Sequence, residues 1–227
     1  YCKGFKQGEL LGCRSPHVTM GNLALMNNVR IPAIDTYFNL SRNIICINSI
    51  GENTLERLSS ADFDSDQLLL TDNKLMLDKL KLHYNKFLVP TSEVSAKKVK
   101  RTYTASQKSD LDIKTSVNKI GDIINTSQQL NSILWDRYNK TGKLDMDLYK
   151  DICQLDVMSC IEIDKAKKEF AVNNIKELQE LRKKYKLDSK EEGKTQVKAY
   201  FLQFMGNIKE EDKEKSYAKI EFKKMNT

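Results

Sequence analysis

From residue 113 onward the apolar residues Ile113, Val117, Ile120 and Ile124, then Leu130, Ile133 and Leu134, recur at three- and four-residue intervals. That spacing lines one face of a helix. A second helical stretch is predicted through Leu148, Ile152, Leu155, Met158 and Ile161, running on as a Lys- and Glu-rich segment to about Tyr185. A third covers Gln196 to Ile208 and leads into the charged tail Lys209 to Lys215, read as a solvated helix or a frayed end. Trp135, Met158, Ile161 and Phe170 are expected in the core of these helices rather than at a ligand.

The first part of the chain has a different pattern. Leu23-Ala24-Leu25-Met26 and Ile44-Ile45-Cys46-Ile47 are short apolar runs bounded by Gly, Asn and Pro, as buried strands are. Gln67 to Leu70 is read as a further strand carrying the acidic residues before it out towards one end, and Thr71-Asp72-Asn73 as the cap of a helix over Leu75 to Lys86. The expected fold class is α+β, with strands first and a mainly α-helical region afterwards. Three segments follow: residues 1–72, a helix and basic linker over 73–112, and a helical domain over 113–227.

Charge divides the same way. Residues 1 to 70 hold six Lys/Arg against seven Asp/Glu, leaving 32 against 24 for the rest, within a net charge of +7. The basic run Lys97-Lys98-Val99-Lys100-Arg101, with Tyr103 beside it, has the residue types that track phosphates and stack on a base; a plain wet surface is the alternative. No apolar run approaches the roughly 20 residues that cross a bilayer. Five scattered cysteines, odd in number, point to reduced thiols in a cytoplasmic protein. With only His17 and His83 available, far apart in sequence, neither a zinc site nor a Cys-His nucleophile pair is expected. The opening Tyr1-Cys2-Lys3-Gly4 has no leader pattern, so the chain is expected to be a piece of a longer polypeptide.

The chemistry concentrates in Asp62-Phe63-Asp64-Ser65-Asp66. In an extended segment these alternating carboxylates face one way about 7 Å apart, and at an effective dielectric near 20 each adjacent ionised pair repels by roughly 2 kcal/mol. Such a cluster calls for a cation, and carboxylate oxygens suit magnesium or manganese. An EF-hand does not fit, because its sixth position is Gln67 and its twelfth Asn73, where the loop needs Gly and Glu. A surface turn rich in Asp, bonded to its own amides, remains the alternative.

Arg14-Ser15-Pro16, Gly21-Asn22-Leu23, Ile44 to Gly51 and Ser59-Ser60-Ala61-Asp62-Phe63-Asp64-Ser65-Asp66-Gln67 follow one another in a telling order. The stretch Cys13 to Met76 thereby resembles the catalytic double-psi β-barrel of multi-subunit RNA polymerases and of cellular RNA-directed RNA polymerases. A fainter likeness lies in Val117 to Gly121 and in Leu155 to Lys167, with Asp164 three residues ahead of Lys167. The chain departs from the family at Ser65, where the family has Gly, at Asn22, where the RNA-directed enzymes tend to have Asp, and at His17, directly after Pro16.

The resemblance implies that residues 1–72 form part of a double-psi barrel. It makes Asp62, Asp64 and Asp66 the catalytic, metal-holding residues for Mg2+, with Mn2+ also suited. It places Arg14 near the nucleotide sugar; the alternative is an ion pair of Arg14 with Glu9 or Asp35. The implied activity is nucleotidyl transfer in a nucleic-acid-templated RNA polymerase, with template and nucleoside triphosphates as partners. The second barrel would lie elsewhere in a longer chain or in another subunit. A catalytically degenerate barrel serving as a nucleic-acid-binding or assembly module is a second expectation. A helical interaction protein docking through residues 113–137 and 147–180 is a third.

Overall fold

Gly8–Arg14 forms β1, the middle strand of a three-stranded antiparallel sheet between β2 (Ala24–Asn28) and β3 (Leu68–Thr71). The register runs from Gly8 opposite Asn28 to Gly12 opposite Ala24, and from Leu11 opposite Thr71 to Arg14 opposite Leu68. Gly12 is needed at the centre. A Cβ there would stand 2.7 Å from the Met26 Cε atom and 3.3 Å from Leu70, the side chains that close over it from both neighbours. These features come from a computed structural model, which describes residues 1 to 187; the expected helix Gln196 to Ile208 and the tail Lys209 to Lys215 lie outside them.

The remaining elements are α1 (Pro32–Tyr37), α2 (Thr54–Arg57), α3 (Lys74–His83), β4 (Ala96–Lys97), α4 (Ala105–Ser116), α5 (Ile120–Thr141), α6 (Met146–Asp164), β5 (Glu169–Phe170) and α7 (Asn174–Lys184). The chain is α+β. Among the described residues the strands make one three-stranded sheet and the two-stranded β4–β5 ribbon, with no closed barrel. No described helix is long and apolar enough to cross a membrane.

Asn73 caps α3, its side-chain oxygen accepting the Met76 N–H at 3.2 Å, and Leu77 and Leu80 of that helix pack on Leu11 of the sheet. The run Ile44 to Ile47 is not a strand. Ile45 makes a single bridge to Cys2, and the Cys46 N–H bonds the Tyr1 carbonyl at 2.9 Å. No strand beside the run continues that ladder among the described residues, so pairing stops after one bridge.

Among the described residues, the helical spine is well shielded from water. Ile123, Leu130 and Leu134 on α5 and Ile152 and Leu155 on α6 are 0% exposed. Burying a side chain of this size stabilises by about 1.5 to 3 kcal/mol. Asp145 caps α6 by accepting the Leu148 N–H at 3.1 Å, and Gly142 ends α5 in the left-handed region at φ 65°. Met158 and Ile161 are buried as expected, whereas Trp135 and Phe170 are half-buried, with Trp135 edge-on to Phe87 and Tyr138.

Two predicted helices are interrupted. Asn118 accepts the Ile120 N–H at 2.8 Å and buried Glu162 accepts the Lys119 N–H at 2.9 Å, which separates α4 from α5. The second stretch breaks after Asp164 because Glu169 and Phe170 pair with Lys97 and Ala96. Asn174 then restarts the helix with its side chain held by Glu162 at 2.9 Å.

Tyr1–Leu181 packs as one unit, and a second begins at Arg182. The compositional boundaries near residues 72 and 112 are therefore not breaks in packing. Asn131 of α5 donates to the Val18 carbonyl at 2.9 Å, and the Tyr149 hydroxyl of α6 donates to the Leu88 carbonyl at 2.9 Å.

Candidate functional site

The aspartate segment follows the short helix α2 through an unusual turn. Ser59 and Ser60 both take left-handed backbone angles, φ 56° and 54°, at a cost of about 1 to 2 kcal/mol each for residues with a Cβ. The surroundings hold the turn. The Ser59 hydroxyl donates to the Pro16 carbonyl at 3.2 Å, the Ser60 hydroxyl donates to Glu56 at 3.2 Å, and the Ala61 N–H bonds the Leu55 carbonyl at 2.9 Å. Leu58 and Ala61 on either side are buried against Ala24. The loop thus leaves a fixed base.

Asp62 to Asp66 is a turn centred on Phe63 to Ser65, not an extended segment. The correction has a local cause, since Asp side chains compete for nearby backbone amides. Asp66 reaches back to accept the Asp62 N–H at 2.7 Å, and Asp64 accepts the Ser65 N–H at 2.5 Å. Among the described residues the non-glycine left-handed positions are Ser59, Ser60, Asn85 and Lys186, so Ser65 has an ordinary backbone and no conformational need for glycine.

Arg14, at the end of β1, meets this loop directly. Its Nε lies 3.0 Å from Asp66 Oδ2, its Nη2 donates to Asp66 Oδ1 at 3.2 Å, and its Nη1 donates to the Ser59 carbonyl at 2.8 Å. The fork of five donors is used as a two-point clamp on one carboxylate. Its partner is thus Asp66, and not Glu9 or Asp35. Those two carboxylates pair elsewhere, Glu9 with Lys81 and Asp35 with Arg30 and Lys3.

Asp62, Asp64, Asp66 and Arg14 all line one cavity of about 470 Å³. Glu56, Ser59 and Ser60 share its wall with Cys160 and Asp164 of α6 and with Lys167 and Lys168 just after that helix. Asp164 bonds Lys168 at 2.5 Å and, with a smaller contribution from Asp62, raises the ammonium pKa above its ordinary value. Among the described residues, however, no three carboxylate, His or Cys side chains gather closely enough to enclose a metal ion as they stand.

Behind the cavity α6 buries an acid that the sequence pattern did not single out. Asp156 is 1% exposed; its Oδ2 accepts from the Asn22 amide at 3.2 Å and its Oδ1 has no partner. Burial pushes its pKa up to about 7, opposed by the Asn22 bond. Desolvation likewise pushes the Cys160 thiol up to about 11, and this thiol lies 3.6 Å from the Ser59 carbonyl. All five cysteines are free. His17 is largely buried with an unpartnered Nε2, and desolvation lowers its pKa.

The basic run lies next door. Lys97, Lys98, Lys100 and Arg101 line a second cavity of about 530 Å³ together with Lys165, Lys167 and Lys168. Arg101 is tied to Asp110 at 2.9 Å and to Glu169, so it serves the ribbon more than an outside ligand. The second basic cluster, Lys165-Ala166-Lys167-Lys168, was visible as a charge run but carried no sign that it would join the first. Comparison of the chain with protein-family models, with curated proteins and with solved structures gives no match.

Proposed function

We propose that the chain is the catalytic-barrel part of a nucleic-acid-templated RNA polymerase and works by metal-dependent nucleotidyl transfer, its strands completing a double-psi barrel with others outside residues 1 to 187. The observation that carries this reading is the cavity that Asp62, Asp64, Asp66 and Arg14 line together. Hard carboxylate oxygens in its lining suit Mg2+ or Mn2+ in donor chemistry. Asp62 and Asp64 are exposed to solvent and available; Asp66 joins them only by giving up Arg14. When bound, such a cation activates a 3′-hydroxyl and neutralises triphosphate charge.

The chain's own residues do the positioning. Arg14 acts as the internal counter-charge of Asp66 in the free protein. Asp66 would help to hold a cation, and Arg14, which lines the same cavity, has a planar fork that would suit a nucleotide sugar. The serine turn gives the loop a rigid origin, and Lys167 and Lys168 add positive charge to the lining for phosphate. Calorimetric titration of Mn2+ into wild type and Asp64→Ala tests the reading. Binding by wild type that weakens at least tenfold in the variant supports it, whereas equal weak heats from both refute it.

One observation favours a second reading, a catalytically degenerate barrel acting as a nucleic-acid-binding or assembly module. Asp66 already has an ion-pair partner, and the aspartates satisfy backbone amides of their own loop. Equal weak heats leave this second reading standing.

A further inference from the structure

The β4–β5 pairing brings together two basic clusters that lie about seventy residues apart in sequence, with Lys97 opposite Glu169. Lys97, Lys98 and Lys100 form one bank of the 530 Å³ groove and Lys165, Lys167 and Lys168 the other. The lining holds seven cations and a single carboxylate, Glu169. That carboxylate is spent on Arg101, and Lys165 and Lys168 are matched by Glu162 and Asp164. Among the described residues, Lys97, Lys98, Lys100 and Lys167 have no ion-pair partner. Like charges held this close repel one another unless an external anion joins them.

The groove also has a direction. Ala96, Lys167 and Lys168 line both it and the aspartate cavity, so the two adjoin. Near the Arg101 end stands Tyr103, 93% exposed, with the Lys108 ammonium 5.5 Å from its ring centroid. An exposed ring among cations is a stacking platform for a base. Repeated lysines with no structured pocket for one phosphate fit a polymeric anion better than a small one. A base can stack on the exposed Tyr103 ring only if it is not already stacked on both faces within a duplex, which favours a single strand.

We infer that this groove binds the backbone of single-stranded nucleic acid, with a base on Tyr103, and leads the strand towards the aspartate cavity. The leading of the strand rests on the reading of that cavity as a nucleotidyl-transfer site; the binding does not.

The test is fluorescence anisotropy in EDTA with labelled oligo(U) and oligo(dT) of about 20 nucleotides, a duplex of equal length, and competing phosphatidylserine vesicles. The proteins are wild type, K97Q/K98Q/K100Q, K167Q/K168Q, and the control K74Q/K79Q on exposed positions of α3. Each groove variant is expected to bind single strands at least tenfold more weakly than wild type. At about 0.7 per lost phosphate contact, the slope of log affinity against log salt should fall by about 2 for the triple variant and about 1 for the double. The control keeps wild-type affinity, and the duplex binds less tightly than the single strands.

Wild-type affinity in both groove variants overturns the inference, as does equal loss in the control, a preference for duplex, or displacement of the oligonucleotide by vesicles. The same proteins titrated with Mn2+ separate the two readings. Failure of the groove leaves Mn2+ binding by K97Q/K98Q/K100Q intact, whereas failure of the metal reading leaves oligonucleotide binding in EDTA intact.

Discussion

Along α5 and α6, Ile123, Leu130, Leu134, Ile152 and Leu155 are wholly shielded from water, while every residue from Asp62 to Gln67 is exposed. The helical hairpin is held by area removed from solvent, which is insensitive to the detail of any one contact. The aspartate loop is held by a handful of directional bonds, to Arg14, to Ser59 and Ser60, and to its own amides. Yet the loop borrows its rigidity from the hairpin. Cys160 lies against the Ser59 carbonyl, and Asp156 accepts from Asn22 in the turn before β2. A chain can thus keep an adaptable polar site by seating it on an element whose stability does not depend on that site.

Ile152→Ala attacks the hairpin side of this contrast and has the largest expected effect. It should cost about 2 to 5 kcal/mol in urea unfolding. A loss below 1 kcal/mol, within the usual range of surface changes, would mean the hairpin is not the stabilising element.

Asp156→Asn probes the junction between the two regions. The folded carboxyl has its pKa raised to about 7 from the ordinary 3.8. Between those values the folded chain keeps a proton that the unfolded chain releases, so this group makes stability fall as pH rises to about 7 and level off above. Denaturation at pH 5 and pH 8 should show the variant gaining on the order of 2 kcal/mol more over wild type at pH 8 than at pH 5. An equal difference at both pH values would refute a buried, titrating Asp156.

Arg14→Gln sharpens the loop side. Removing the counter-charge frees Asp66, and exposed or half-exposed ion pairs are worth about 1 kcal/mol or less, so Mn2+ should bind about two- to fivefold more tightly. Weaker binding would make Arg14 an organiser of the loop instead of a competitor for Asp66. The smallest effect belongs to Ser60→Gly. Relief of about 1 kcal/mol of backbone strain is set against loss of the bond to Glu56, leaving thermal unfolding within about 0.5 kcal/mol of wild type.

Several of these features were legible in the residues themselves. The strand Leu68–Thr71 and the Asn73 cap of α3 follow from a short apolar run ended by polar cap formers, and the buried faces of α5 and α6 follow from three- and four-residue spacing. Arg14 and the three aspartates were picked out by order and residue type, and they do line one cavity. The turn in the aspartate segment, bonded to its own amides, was legible only as the alternative to a strand, and the partner of Arg14 was not legible. Alternation of acids and neutral residues suggests a strand, and only the amides within reach decide that the loop folds on itself.

Local pattern determined the helices α3, α5 and α6, the strands β2 and β3, the excess of positive charge and the carboxylates that give the molecule its candidate chemistry. Periodicity and capping act over a few residues, and the amino acids present encode them directly. The tertiary structure alone decided that residues 96–97 pair with 169–170, that two lysine clusters share a groove, and that Asp156 is buried behind the aspartate loop. Those outcomes depend on which segments meet across long stretches of chain, and contacts of that range are chosen by the packing of the whole core.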